Sequence, residues 1–297
     1  MKNNEKGMAY FYCVLAMIGW GSMFVACKLA YEVVSGMTLL FIRYLLAVAI
    51  LLIIYRRRSR PKLSCRNKMN VILIGVLGYC LSIAFQMVGT DYLNASMASI
   101  INTMTPVAII VFAIWILREK SSLIQLVGIG ITIVGAVVII GAKTEGNLLI
   151  GIVLSIVGML LWGLTSVLIR KMCSDIDPVW LTIYAMAVAM IVDIPIMRVE
   201  IYSVGIEMDN MSFMAVLAMV WIGVVPTALA NLTWSKALEV LPAATCSLFY
   251  AFLPVVTSLL GVALLGEKMT MNFIIGCLIV ILGVVVAILA ERKQEKA

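Results

Sequence analysis

Histidine is absent from the 297 residues, which removes the commonest proton shuttle and metal ligand. Charge is scarce as well. Asp, Glu, Lys and Arg make up 12% of the chain against 64% hydrophobic residues, too little polar side chain to coat a water-soluble body of this size. The seven cysteines (Cys13, Cys27, Cys65, Cys80, Cys173, Cys246, Cys277) contain no CxxC pair and mostly fall inside apolar runs. They read as small packing residues rather than disulfides or metal ligands, and no cofactor or metal is expected. No apolar run carries a pair of carboxylates at its middle, and no glycine-flanked serine has a base to serve it. An intramembrane protease or lipid transferase therefore lacks its acid-base chemistry. A channel is disfavoured too, because neither a filter sequence nor a ring of pore charge is present.

What fills the chain is apolar sequence, at a mean hydropathy of +1.13. A membrane-crossing helix needs about 20 mostly apolar residues. Ten such runs are read, near 8–30, 36–54, 71–90, 95–117, 123–141, 148–169, 179–197, 212–232, 243–265 and 272–290. The alternation of a β-barrel is missing, and lipid tolerates only helices or closed barrels. The expected fold is all-α, a polytopic membrane protein of ten transmembrane helices. The first run follows Lys2 and Lys6 in the manner of a signal peptide, but it is too long and lacks a convincing cleavage site. It is read as the first span.

The net charge of +7 is explained by where the cations fall. With the N-terminus in the cytoplasm, 17 of the 22 Lys and Arg lie inside, seven of them between Arg56 and Lys68. By the positive-inside rule both termini are cytoplasmic. The Arg56-Arg57-Arg58 cluster then sets topology and touches anionic membrane lipid, and no nucleic-acid partner is expected. A monomer is the default, with a dimer open.

The chain also resembles itself. Pro106, Glu119, Lys120, Gly128 and Gly135 recur as Pro254, Glu267, Lys268, Gly276 and Gly283, each 148 residues on. Earlier in the chain the offset is 142, pairing Trp20-Gly21 with Trp162-Gly163. Two repeats follow, 1–143 and 144–297, and such duplications identify the architecture before local structure does. Five spans per repeat is an odd number, so the second copy enters the membrane from the other side. Inverted repeats suit alternating access, with a small-molecule site near the midplane between them. The polar connection from Val199 to Asn210 is read as a solvated outer loop, and Glu119-Lys120 and Glu267-Lys268 as markers of helix ends.

Arg43 is the costliest residue in the apolar sequence. An arginine at that depth faces a wet cavity or a partner, so it binds a substrate carboxylate or clamps backbone carbonyls or Asp193. Asp193 either carries a coupling proton or pairs with Arg198 or Arg43. Trp20 and Trp162, at matched mid-span positions away from the usual interface belt, face a cavity or pack against a neighbouring helix. Repeat alignment sets Gln86 against Trp234, Asn102 against Tyr250 and Ile83 against Asn231. Buried amides need partners, which can be substrate or another helix. Tyr79 and Tyr184, each with an apolar body and a polar tip, complete the set. Amides among aromatic faces suit a small zwitterionic or aromatic metabolite better than a sugar phosphate, which wants more buried cations. A scaffold or sensor without transport remains the alternative reading.

These residues also carry a resemblance. Gly223-Val224-Val225-Pro226-Thr227-Ala228, Trp234 with Lys236-Ala237-Leu238, Pro254-Val255 and Gly266-Glu267-Lys268, supported by Gly19-Trp20-Gly21 and Phe41-Ile42-Arg43-Tyr44, are similar to the EamA-type, ten-span branch of the drug/metabolite transporter superfamily. The resemblance implies two five-helix halves around a central cavity, alternating access, and export of amino acids or other small metabolites across the bacterial inner membrane. Gly36 stands where that family often has proline.

Overall fold

In lipid a backbone has no water to bond, so each segment must satisfy its own N–H and C=O groups. The computed structural model describes residues 2–118, 122–140, 146–266 and 271–294, and helix dominates throughout. The helical runs, counted as continuous passages through their irregular turns, are α1 (Lys2–Ala30), α2 (Gly36–Ile54), α3 (Cys65–Tyr92), α4 (Ala95–Leu117), α5 (Leu123–Ile140), α6 (Gly146–Met172), α7 (Pro178–Val204), α8 (Phe213–Val240), α9 (Ala243–Leu265) and α10 (Met271–Gln294). Among the described residues, eight of these are long and apolar enough to cross a membrane. The fifth and tenth expected spans fall on α5 and α10, which pack along each other. The paired markers Glu119-Lys120 and Glu267-Lys268 lie outside the described residues.

Short polar residues start the helices. Ser64 accepts from Asn67 N at 3.2 Å ahead of α3, and Ser212 from Ala215 N at 3.1 Å ahead of α8. Asn94 accepts from Met97 N at 2.7 Å ahead of α4, and Asp177 from Val179 N at 2.9 Å ahead of α7. Each satisfies one donor that a helix leaves open at its first turn. Ser35, ahead of α2, makes no such bond. Its place is taken from another helix: Glu200 on α7 accepts from Met37 N at 3.1 Å, Thr38 N at 2.7 Å and Thr38 Oγ1 at 2.8 Å. The expected solvated loop thus begins later than its polarity suggests. Helix α7 runs on to Val204, ends at Gly205 with φ +85°, and uses Glu200 to cap α2. The rest of the connection folds back, with Glu207 N on Val33 O and Asn210 Nδ2 on Glu32 O. Glu200→Ala is expected to cost about 1–2 kcal/mol, the worth of a charged cap at a helix N-terminus; thermal unfolding of the purified variant in detergent measures it.

Helix packing follows a paired scheme. Helix α1 packs on α8 and α9 while α6 packs on α3 and α4, and α2 packs on α7. Glycines set close crossings in matched pairs. A Cβ on Gly21 would lie 2.8 Å from Val256 Cβ, and one on Gly163 would lie 2.5 Å from Ala108 Cβ. A Cβ on Gly75 would lie 2.7 Å from Val188 Cβ, and one on Gly223 2.7 Å from Leu46 Cβ. Small residues at such crossings let helix backbones meet where lipid supplies no hydrophobic drive. The same matching holds at the helix ends, where Lys28 Nζ donates to Asp91 O at 2.9 Å and Arg170 Nη1 to Glu239 O at 2.9 Å.

Local irregularities recur at equivalent places. Helices α3 and α8 widen to π-helical turns at Gly75–Ser82 and Gly223–Leu229, and π-bulges cluster at functional sites. Helix α4 breaks at Met104 just before Pro106, and α9 tightens to a 3₁₀ turn at Leu248–Ala251 before Pro254. Proline removes one rung of the helix ladder and frees a carbonyl four residues back. Ile83, Asn102, Asn231 and Tyr250, in or within two residues of these segments, line a common cavity.

Candidate functional site

Pro226 organises one wall. Its missing N–H leaves Ile222 O without its usual helical donor, and Thr227 Oγ1 donates to that carbonyl at 2.6 Å. The same hydroxyl oxygen accepts Arg43 Nε at 2.7 Å. Pro226 O in turn accepts Trp20 Nε1 at 3.1 Å and Asn231 Nδ2 at 3.1 Å. One irregular turn of α8 therefore fixes an arginine from α2, a tryptophan from α1 and its own asparagine. The matching turn in α3 presents Tyr79 O to the Tyr44 hydroxyl.

Between these walls lies a small cavity of about 30 Å³, bounded by Trp20, Met23 and Phe24 of α1, Arg43 of α2, Ile83 and Gln86 of α3, Asn102 of α4, Trp162 of α6, Asn231 of α8, and Tyr250 and Leu253 of α9. Rings crowd one side of it. Trp20 lies 5.5 Å from Trp162 edge-on, 5.3 Å from Trp234 and 5.9 Å from Tyr250, and Trp162 lies 5.5 Å from Tyr79. Edge-to-face contacts of this kind add to the area the rings bury. Trp162 Nε1 donates to the Tyr250 hydroxyl at 2.6 Å.

The polar side is oriented by its bonds. Asn102 Nδ2 donates to Ala98 O at 3.0 Å, and Asn231 Nδ2 to Pro226 O and Thr227 O. Gln86 Nε2 donates at 3.0 Å to Ser82 Oγ, whose own proton goes to Gly158 O at 2.8 Å. Because a backbone carbonyl can only accept, the amide nitrogens must face the helices. The amide oxygens of Gln86, Asn102 and Asn231 are left as acceptors in residues that line the cavity.

Arg43 is the opposite pole. It is 1% exposed, and among the described residues its fork meets Thr227 and Met87 Sδ, the latter at 3.7 Å, with its charge 5.7 Å from the Tyr44 ring centre. A thioether is a weak acceptor. Among the described residues no carboxylate pairs with Arg43. A buried guanidinium without a carboxylate partner is costly.

The sequence candidates divide accordingly. Trp20, Arg43, Gln86, Asn102, Trp162, Asn231 and Tyr250 converge on the cavity. Trp234 and Tyr79 back its rings from outside, and both are fully buried. Tyr184 lies elsewhere, stacked on Trp180 at 5.6 Å. Asp193 is fully buried on α7, and neither carboxylate oxygen has a hydrogen-bond partner, so the expected pairings with Arg198 or Arg43 are not made. Nor does Arg43 clamp a backbone carbonyl: its anchor is a hydroxyl. Thr227 was visible only as a motif residue beside Pro226, and Met23, Phe24 and Leu253 look like ordinary span residues.

Side-chain contacts cross-link the face that carries the 56–68 loop. Arg58 pairs with Asp177, and Arg170 Nη1 donates to Leu238 O at 2.7 Å. Lys236 stands 5.7 Å from the Tyr12 ring centre and 5.8 Å from that of Tyr55. These contacts join the starts or ends of α1, α2, α6, α7 and α8.

A multi-pass helical membrane protein with a polar, aromatic-walled cavity at its centre is the architecture of a solute carrier. The profile of the EamA-like transporter family covers residues 7–141 and again 149–289, and the chain belongs to that family. The two matches are displaced by 142 residues at their starts and 148 at their ends, the offsets already read from the sequence. An uncharacterized transporter of Archaeoglobus fulgidus is 26% identical over 274 residues, covering 92% of this chain and 96% of its own. The uncharacterized transporter YyaM of Bacillus subtilis is 25% identical over 250 residues, covering 81% and 80%. A crystal structure at 18% identity superposes with a TM-score of 0.74 over 96% of this chain and 98% of the other, a likeness of fold.

Proposed function

We propose that this protein is a secondary transporter that exports a small zwitterionic metabolite, an amino acid with an apolar or aromatic side chain, by alternating access. The observation that carries the reading is the polarity of the central cavity. Arg43 pairs with no carboxylate among the described residues, and the same space is lined by Gln86, Asn102 and Asn231, whose amide oxygens are left as acceptors once their nitrogens are bonded to the helices. A carboxylate satisfies the first and an ammonium the second, while Trp20, Trp162 and Tyr250 receive the side chain.

A cavity of about 30 Å³ has room for a few water molecules at most and none for an amino acid. The substrate enters only when the walls part. The matched packing of α1 with α8 and α9 and of α6 with α3 and α4 supports two inverted five-helix halves, 1–143 and 144–297, that rock about the site. On this reading α5 and α10 complete ten spans, both termini lie in the cytoplasm, and the chain works as a monomer in the cell membrane. Asp193, buried without a partner, carries the coupling proton.

Proteoliposomes of the purified chain, offered a mixture of amino acids and small metabolites with and without a pH gradient, test this by mass spectrometry against empty liposomes. Saturable accumulation of one or a few zwitterions is expected, and a gradient should raise it. If folded protein admits no solute above the control, the transporter reading fails in favour of a scaffold; if only non-zwitterions enter, the assignment of Arg43 and the amides fails.

A further inference from the structure

A second pocket, of about 100 Å³, opens between α3 and α6 at the end that carries the basic loop, lined by Arg66, Asn70, Leu73 and Ile74 of α3 and Leu168, Lys171 and Met172 of α6. Two exposed cations mark its rim, and no carboxylate is among its lining residues. Neither Arg66 nor Lys171 forms an ion pair among the described residues. Asn70 Nδ2 donates to Met172 Sδ at 3.2 Å and stitches the two helices together there. The opposite wall is apolar, and it continues into exposed Met69, Ile72 and Leu73 on the outer surface of α3. The pocket thus has a cationic end and a greasy end, and it lies where a helix leaves the hydrocarbon.

We propose that this pocket binds the headgroup of an anionic phospholipid, its phosphate between Arg66 and Lys171 and an acyl chain along Leu73 and Leu168. Basic pockets between helices at the cytoplasmic boundary suit such headgroups. A free phosphate needs only the cations and gains nothing from the apolar wall, so an amphiphile is the better fit to both ends. The fold does not require these charges. At the repeat-equivalent positions Arg66 becomes Met214, Asn70 becomes Ala218 and Lys171 becomes Leu29, although α1 packs on α8 as α6 packs on α3. The cations are present on one face only, as expected for a ligand held in one leaflet. Bound there, the lipid bridges the ends of α3 and α6.

Native mass spectrometry of the full chain in detergent, with added phosphatidylglycerol or phosphatidylcholine, tests the site without any transport measurement. Wild type is expected to retain a phosphatidylglycerol adduct in preference to phosphatidylcholine. The double variant Arg66→Gln/Lys171→Gln should lower its occupancy roughly 10- to 30-fold, given the usual worth of two cations near an anionic lipid. The control Arg292→Gln/Lys293→Gln removes the same charge from the end of α10 and should leave the adduct in place. Equal loss in both double variants, equal retention of phosphatidylcholine, or displacement of the adduct by inorganic phosphate would each overturn the proposal.

Discussion

Arg43→Ala is expected to reduce transport by about 100-fold or more, within the range of 2–5 kcal/mol for loss of one member of a buried charged contact, while the variant stays folded. The second half of that expectation is the informative one. Arg43 is held by one strong bond, to Thr227 Oγ1 at 2.7 Å, and carries a charge that no carboxylate of the described residues neutralises. Removing such a group relieves a desolvation cost at the same time as it removes a bond, so little net stability is lost. Arg43→Lys keeps the charge but not the planar fork, and its point charge cannot hold Thr227 and a carboxylate together. A loss of roughly tenfold is expected for it. Thr227→Val separates anchoring from binding: it should weaken apparent affinity without abolishing the maximal rate. Flux into proteoliposomes, normalised to folded protein, measures all three. If instead Arg43→Ala lowers the melting temperature by several degrees and leaves normalised flux intact, Arg43 is a strut and the substrate does not meet it.

The membrane class and the duplication were legible in the sequence because both are written in features that survive without packing. Apolar length reports spans directly, and Pro106 and Pro254, or Trp20 and Trp162, keep their spacing whatever they touch. The convergence of Gln86, Asn102, Asn231 and Tyr250 was legible for a related reason: amides are costly in lipid, so a repeat alignment that exposes them also finds the centre. What the sequence concealed were contacts made by side chains against freed backbone. Nothing in the string announces that Pro226 liberates Ile222 O, that Thr227 takes that carbonyl, and that Thr227 then receives Arg43. Glu200 was hidden differently. Its acidic surroundings from Val199 to Asn210 read as solvated loop, yet its carboxylate caps α2, which lies more than 160 residues earlier in the chain. Tyr184 shows the converse error of pattern reading, because an aromatic residue with a polar tip in an apolar span can simply stack on a neighbour, here Trp180.

Trp162→Ala carries the other large expected effect, because one ring serves three neighbours. Its edge meets Trp20 and Tyr79, each at 5.5 Å between centroids, and its N–H bonds the Tyr250 hydroxyl at 2.6 Å. Truncating a buried tryptophan costs about 3–5 kcal/mol, so a lower melting temperature by itself says little about function. The distinguishing quantity is substrate ranking. The void opens onto a cavity of about 30 Å³ and adds the volume of a ring to it, so normalised flux of the best wild-type substrate should fall by about tenfold or more as its stacking contacts are lost. Bulkier analogues should lose less or gain. Tyr250→Phe probes the bond without the void. It leaves Trp162 Nε1 buried and unsatisfied at a cost of about 1–3 kcal/mol, and it should leave the ranking nearly unchanged. Should Trp162→Ala lose stability with the same ranking as wild type, the ring is packing that happens to border the cavity. The side chain of the substrate must then lie toward Phe24, Met23 and Leu253, which line the cavity from α1 and α9.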